Sequence, residues 1–175
     1  MPTTLKSYAQ KTSSHPGELR EVTRIADLLL SHLNTPIVRK AIEDANVPGG
    51  SSRLIQEAFA AYATELGFRA EMKGLFGNYS TRGLRPDYYL PIGETGILLE
   101  VERGKTTMNN MDLLDFWKCH LCEHAHYLFL MVPQELQQNS TRVIRKEFDM
   151  VNRRLEAFFR PENATNVRGL FLFGY

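Results

Sequence analysis

Three acidic residues, Asp87, Glu100 and Glu102, are spaced so that a single hairpin can gather them. The segment GILLEVER, residues 96–103, reads as a strand. Side chains alternate across a strand, so Glu100 and Glu102 share one face while Leu99 and Val101 take the other. Asp87 lies in RPDYYL at the start of the preceding strand, and a turn in PIGETG near Gly93 brings it beside the end of the next one. Carboxylates a few ångströms apart raise each other's pKa, and a divalent cation removes that cost. Hard oxygen ligands without adjacent imidazole or thiolate favour Mg2+, with Mn2+ as its substitute. Such an ion lowers the pKa of a bound water and neutralises a leaving oxygen, which is the chemistry of phosphodiester hydrolysis. An E-x-E strand alone is also the ordinary wet side of a half-exposed strand. The added weight comes from Asp87, thirteen positions before Glu100, and from the elements on either side.

Those elements are legible from periodicity. Residues 1–14 are polar and read as a flexible arm, and residues 15–175 as one domain. Leu19, Val22, Ile25, Ala26, Leu29 and Leu33 recur at helical spacing after Pro16, and a shorter helix runs from Thr35 to about Ala45. These form an added N-terminal pair, set off by VPGG. A third helix is expected from Ser51 or Ser52 to Gly67, burying Leu54, Ile55, Ala58, Phe59, Tyr62 and Leu66. Beyond Gly67 the period shortens, and FRAEMK, RPDYYL and GILLEVER read as three strands. A helix over about 107–123, the strand HYLFLMVP, a helix over about 141–159 and the strand RGLFLFGY complete the chain. The predicted class is α/β, with a mixed central sheet flanked by helices.

The residues RPDYYL and GILLEVERGK, with a helix before them and a helix and buried strand after them, resemble the PD-(D/E)xK nuclease superfamily. The likeness spans about 51–133 and implies the restriction endonuclease-like αβββαβ core. It implies that Asp87 and Glu100 bind metal. At the third position, usually Lys, this chain has Glu102, which resembles the BamHI-like branch and would there bind metal or activate water. Lys105 or Arg103 is then the candidate for the missing cation, and Glu57, ahead of Gln56, for a further metal-binding acid on the first core helix. The implied activity is a Mg2+-dependent DNA endonuclease leaving a 5′-phosphate, of which restriction-type cutting is one form. The departure at Glu102 equally suits a catalytically inactive DNA-binding or assembly subunit of the same fold.

The rest of the chain sets bounds. With 21 basic and 20 acidic residues the net charge is +1, so a DNA-binding surface must be local. The loop GLFGNYSTRGL and its flanks offer Lys73, Asn78, Tyr79, Arg82 and Arg85, with Arg103 beyond the strand, as DNA-contacting groups. Cutting both strands favours a homodimer or a partner subunit. No apolar run has the length of a membrane span and no leader is evident, so a cytoplasmic location is expected. Cys119, His120, Cys122, His124 and His126 are all zinc-capable, yet the second half of a C-x2-C site is missing and buried thiols on a core-facing helix explain them. Trp117 and Phe116 are expected in that helix's packed wall.

Overall fold

The computed structural model describes residues 1–10, 15–70, 85–104, 106–137 and 144–175. In chain order the elements are β1 (Thr4–Ala9), α1 (Pro16–Leu33), α2 (Pro36–Ala45), α3 (Ser52–Glu57), α4 (Ala60–Glu65), β2 (Arg69–Ala70), β3 (Tyr88–Ile92) and β4 (Thr95–Val101). They continue with α5 (Met111–Leu121), β5 (Tyr127–Val132), α6 (Glu147–Glu156), a 3-10 turn at Ala157–Phe159 and β6 (Gly169–Gly174). The strands form one six-stranded mixed sheet in the order β1-β6-β5-β4-β3-β2. β4, β5 and β6 run parallel, while β3 and β2 continue the sheet antiparallel on one side and β1 on the other. The protein is therefore α/β, as its pattern of periods implies.

Alternation along the central strands sorts the core into two layers. Ile97, Leu99, Val101, Tyr127, Phe129 and Met131 pack toward α1–α4, with Val22, Leu29, Ile42, Ile55 and Phe59 against them. Leu98, Leu128, Leu130 and Val132 point the other way, onto Phe116 and Cys119 of α5 and Val151 and Leu155 of α6. Glu100 is in phase with Leu98, so the strand turns it toward α5. No helix among the described residues is long and apolar enough to cross a membrane.

Four expectations change. The polar segment read as a loose arm contains β1, whose residues pair one for one with β6 from Thr4↔Gly174 to Ala9↔Gly169. Backbone pairing with an apolar neighbour overrides weak strand patterning, and Lys6 on this edge suits an exposed rim. The helix expected over 52–66 is broken at Ala58–Phe59, where Phe59 adopts φ −129 and ψ 1. The break lets Ile55, Phe59 and Ala63 all reach the core and leaves Leu54 outside at 48% exposure. Ile144–Lys146 is not helical, since Leu136 and Arg145 form a β-bridge there and α6 starts only at Glu147. Trp117 is 50% exposed, because α5 buries Asp112, Asp115, Phe116 and Cys119 instead. Extension of the FRAEMK strand past Ala70 falls outside the described residues.

The β3–β4 register leaves no room at Gly96. An added Cβ there would meet the Tyr89 ring, the Leu90 carbonyl oxygen at 2.8 Å and the His124 carbonyl oxygen at 2.9 Å. Gly96→Ala should cost about 1–3 kcal/mol in urea unfolding, the usual penalty for overpacking. Gly17→Ala, where nothing lies within 4 Å, should leave the midpoint unchanged or slightly raised. Equal midpoints for both variants would contradict the register.

Candidate active site

The hairpin delivers what its register dictates. Tyr88 faces Leu99 across β3 and β4, so Asp87 falls opposite Glu100 at the carboxyl end of β4. The two are joined directly: the Asp87 N–H donates to Glu100 Oε2 at 3.2 Å, and the Val101 N–H donates to Asp87 Oδ2 at 2.8 Å. Glu102 continues the strand, its N–H donating to the Met131 carbonyl at 2.8 Å, and so keeps the phase of Glu100. Its own carbonyl accepts from the Tyr175 hydroxyl at 2.7 Å. The three acids thus occupy one strand end, with Asp87 and Glu102 half-buried and Glu100 only 2% exposed. Glu100 is more deeply covered than an acid at an open strand end would be.

Two residues of α5 complete the group, and neither is picked out by the sequence reading. Lys118 Nζ lies 2.8 Å from Glu100 Oε1, 2.9 Å from Asp115 Oδ1 and 3.4 Å from the Arg85 carbonyl oxygen. Asp115 is fully buried, and neither of its oxygens has a well-aligned hydrogen bond beyond this ion pair and the neighbouring Glu102 carboxyl. The available signal is the spacing Asp112, Asp115, Cys119 on one face of the helix, which an apolar reading through Trp117 and Leu121 obscures.

Burial dominates the electrostatics. It pushes the Glu100 carboxyl well up, aided by the charges of Asp115 and Asp87 and opposed by Lys118. The Glu102 carboxyl rises to about 8 through burial and then the Asp115 charge. Asp115 is raised by burial despite the ammonium beside it. For Lys118 burial works against the charge, but Glu100 and Asp115 outweigh it and hold the ammonium above its ordinary range. The donors are all hard oxygens with an excess of negative charge, which suits a hard divalent ion chemically. As they stand, no three His, Cys, Asp or Glu side chains among the described residues form a ready ion site. The arrangement is closed around an ammonium.

The other expected site residues fare differently. The Glu57 carboxylate is taken by Arg53 at 2.8 Å on the exposed side of α3, a surface ion pair and not part of the acid group. Arg103 points back to the turn after α2, donating to the Gly50 carbonyl at 3.1 Å and to the Val47 carbonyl, so it braces that turn and does not stand free for DNA. Arg85 is exposed next to Asp87. Lys73, Asn78, Tyr79, Arg82 and Lys105 lie outside the described residues. The zinc-capable run is dispersed: the Cys119 thiol contacts the Ala125 carbonyl at 3.7 Å, His120 Nδ1 accepts from the Asn166 N–H at 3.1 Å, and His126 Nδ1 meets Thr95 Oγ1 at 2.7 Å. No protein-family model matches the chain, and neither does any curated protein.

The Glu102 shift fixes a sign for stability against pH. Its folded pKa of about 8 lies above the ordinary carboxyl value of 4.5, so between those values the folded state keeps a proton that the unfolded state loses. Stability should fall as pH rises through that window. Glu102→Gln removes this contribution, so the variant's Tm relative to the parent should climb steadily from pH 5 to pH 8. Parallel Tm profiles would show that Glu102 ionises in the folded protein as it does in water.

Proposed function

We propose that the chain is a metal-dependent DNA endonuclease of the PD-(D/E)xK type. The reading rests on one observation: Asp87 and Glu100 face each other across adjacent strands, the Asp87 N–H donating to Glu100 and the neighbouring Val101 N–H to the Asp87 carboxylate, with Glu102 in phase beyond them. In support, the order around that hairpin is helix, three-stranded antiparallel meander, helix, parallel strand, the arrangement the resemblance implies. The site also lies at the carboxyl end of β4, where ligands of open α/β sheets generally bind.

Asp87, Glu100 and Glu102 would hold Mg2+ or Mn2+, and Asp115 adds a fourth carboxyl beside them. Such an ion supplies a water of lowered pKa and neutralises the leaving oxygen. The chain's own groups do the rest. Asp87 is aimed by the Val101 N–H, and Glu102 is anchored through its carbonyl by Tyr175. Arg85, exposed two positions before Asp87, would meet a DNA phosphate. Lys118 is the cation in the position-independent sense: it touches Glu100 without standing at the strand's third position. A second reading, a DNA-binding or assembly subunit without chemistry, is favoured by that same contact, since the ammonium already satisfies Glu100.

Plasmid incubated with the protein and Mg2+ or Mn2+ separates the two. Nicking that falls by at least about 100-fold in Asp87→Asn, the scale expected when a metal site loses support, is the expected result. DNA retention in gel shift with no cutting under either ion would establish the non-catalytic reading.

A further inference from the structure

We propose that Lys118 is a tethered counter-ion that holds, in the ion-free chain, the place a divalent cation takes, so that the ion enters only by displacing its ammonium. The inference rests on the endonuclease reading and adds a control on the same site. Lys118 Nζ is bound by oxygens of three elements at once: Glu100 on β4, Asp115 on α5 and the Arg85 carbonyl just ahead of β3. These are the elements from which the acid group is built. The ammonium therefore sits among the acids and not on their rim.

A dication and an ammonium cannot share Glu100 Oε1 without strong mutual repulsion in so buried a setting. The lysine has somewhere to go. Its side chain is 13% exposed, and Arg85 alongside is exposed, so a flexible four-carbon stem can carry the charge to water without moving α5. Asp115, attached to the group chiefly through that ion pair, would be released to face the incoming ion. Because ammonium and ion compete for the same oxygens, Lys118 sets the ion concentration at which the site fills.

Amine acylation followed by mass spectrometry reads this on the intact protein without DNA. In the absence of divalent ion, Lys118 should acylate at least about tenfold more slowly than the exposed Lys40, as burial and ion pairing demand. Saturating Mn2+ should raise the Lys118 rate several-fold and leave Lys40 unchanged. If Mn2+ raises the Tm while Lys118 stays protected, the ion binds beside a fixed ammonium, and this inference falls while the endonuclease reading stands. If Mn2+ neither raises the Tm nor changes labelling, both fall. Lys118→Met gives an independent arm: Mn2+ affinity by calorimetry should rise by at least about tenfold on loss of the competing charge. Equal or weaker affinity in that variant overturns the proposal.

Discussion

The half-buried ammonium of Lys118 governs how α5 lies on the sheet. Lys118 has to reach Glu100, which β4 turns inward in phase with Leu98, and Asp115 must face the same way to share the charge. Breaking a buried pair by removing one partner typically costs about 3–5 kcal/mol, comparable with what half-burying a few large apolar side chains returns. The helix phase keeps the polar contact and, with Phe116 and Cys119, a share of the apolar one. With Asp112, Asp115, Phe116 and Cys119 inward, Leu114, Trp117 and Leu121 are left on the outside. An indole half in water is thus a consequence of the polar contact beneath it.

The loop between β4 and α5 is held by a second buried network from α6. Glu147 Oε1 accepts from the Thr107 N–H at 2.7 Å and from its hydroxyl at 2.8 Å, and Arg145 lies against the same pair. Arg154 donates to the Thr107 carbonyl at 2.9 Å and to Asn110 Oδ1 at 2.7 Å, and its Nε pairs with Asp112 at 3.2 Å. Arg145, just ahead of α6, and Arg154 on it are in this way half-buried struts for the loop. Tyr175, the last residue of the chain, fixes the Glu102 carbonyl. The acid group and the loop that follows it therefore depend on contacts 40 positions apart, Thr107–Glu147, and 73 apart, Glu102–Tyr175.

What the sequence makes legible is whatever one element decides alone. Period-two alternation places Glu100 and Glu102 on one face, and a Gly93 turn places Asp87 opposite them; each needs only a strand or a hairpin. What it hides is whatever two elements decide together. β1 has little strand character and is ordered by the β6 edge; Phe59, at the break between α3 and α4, packs its ring 6.0 Å from that of Tyr88. Asp115 and Lys118 look like the polar side of an amphipathic helix until the inward carboxylate they serve is known.

The same distinction decides where the cation comes from. A reading along the chain looks for it just after Glu102 and reaches Lys105, outside the described residues, or Arg103, whose guanidinium donates to the carbonyls of Val47 and Gly50. Electrostatics acts on distance in space, and the charge that Glu100 lacks on its own strand is delivered from about two turns into α5. Glu102 leaves the strand with one more acid, whose carboxyl burial pushes up to about 8, while the lysine pairs with Glu100 and Asp115.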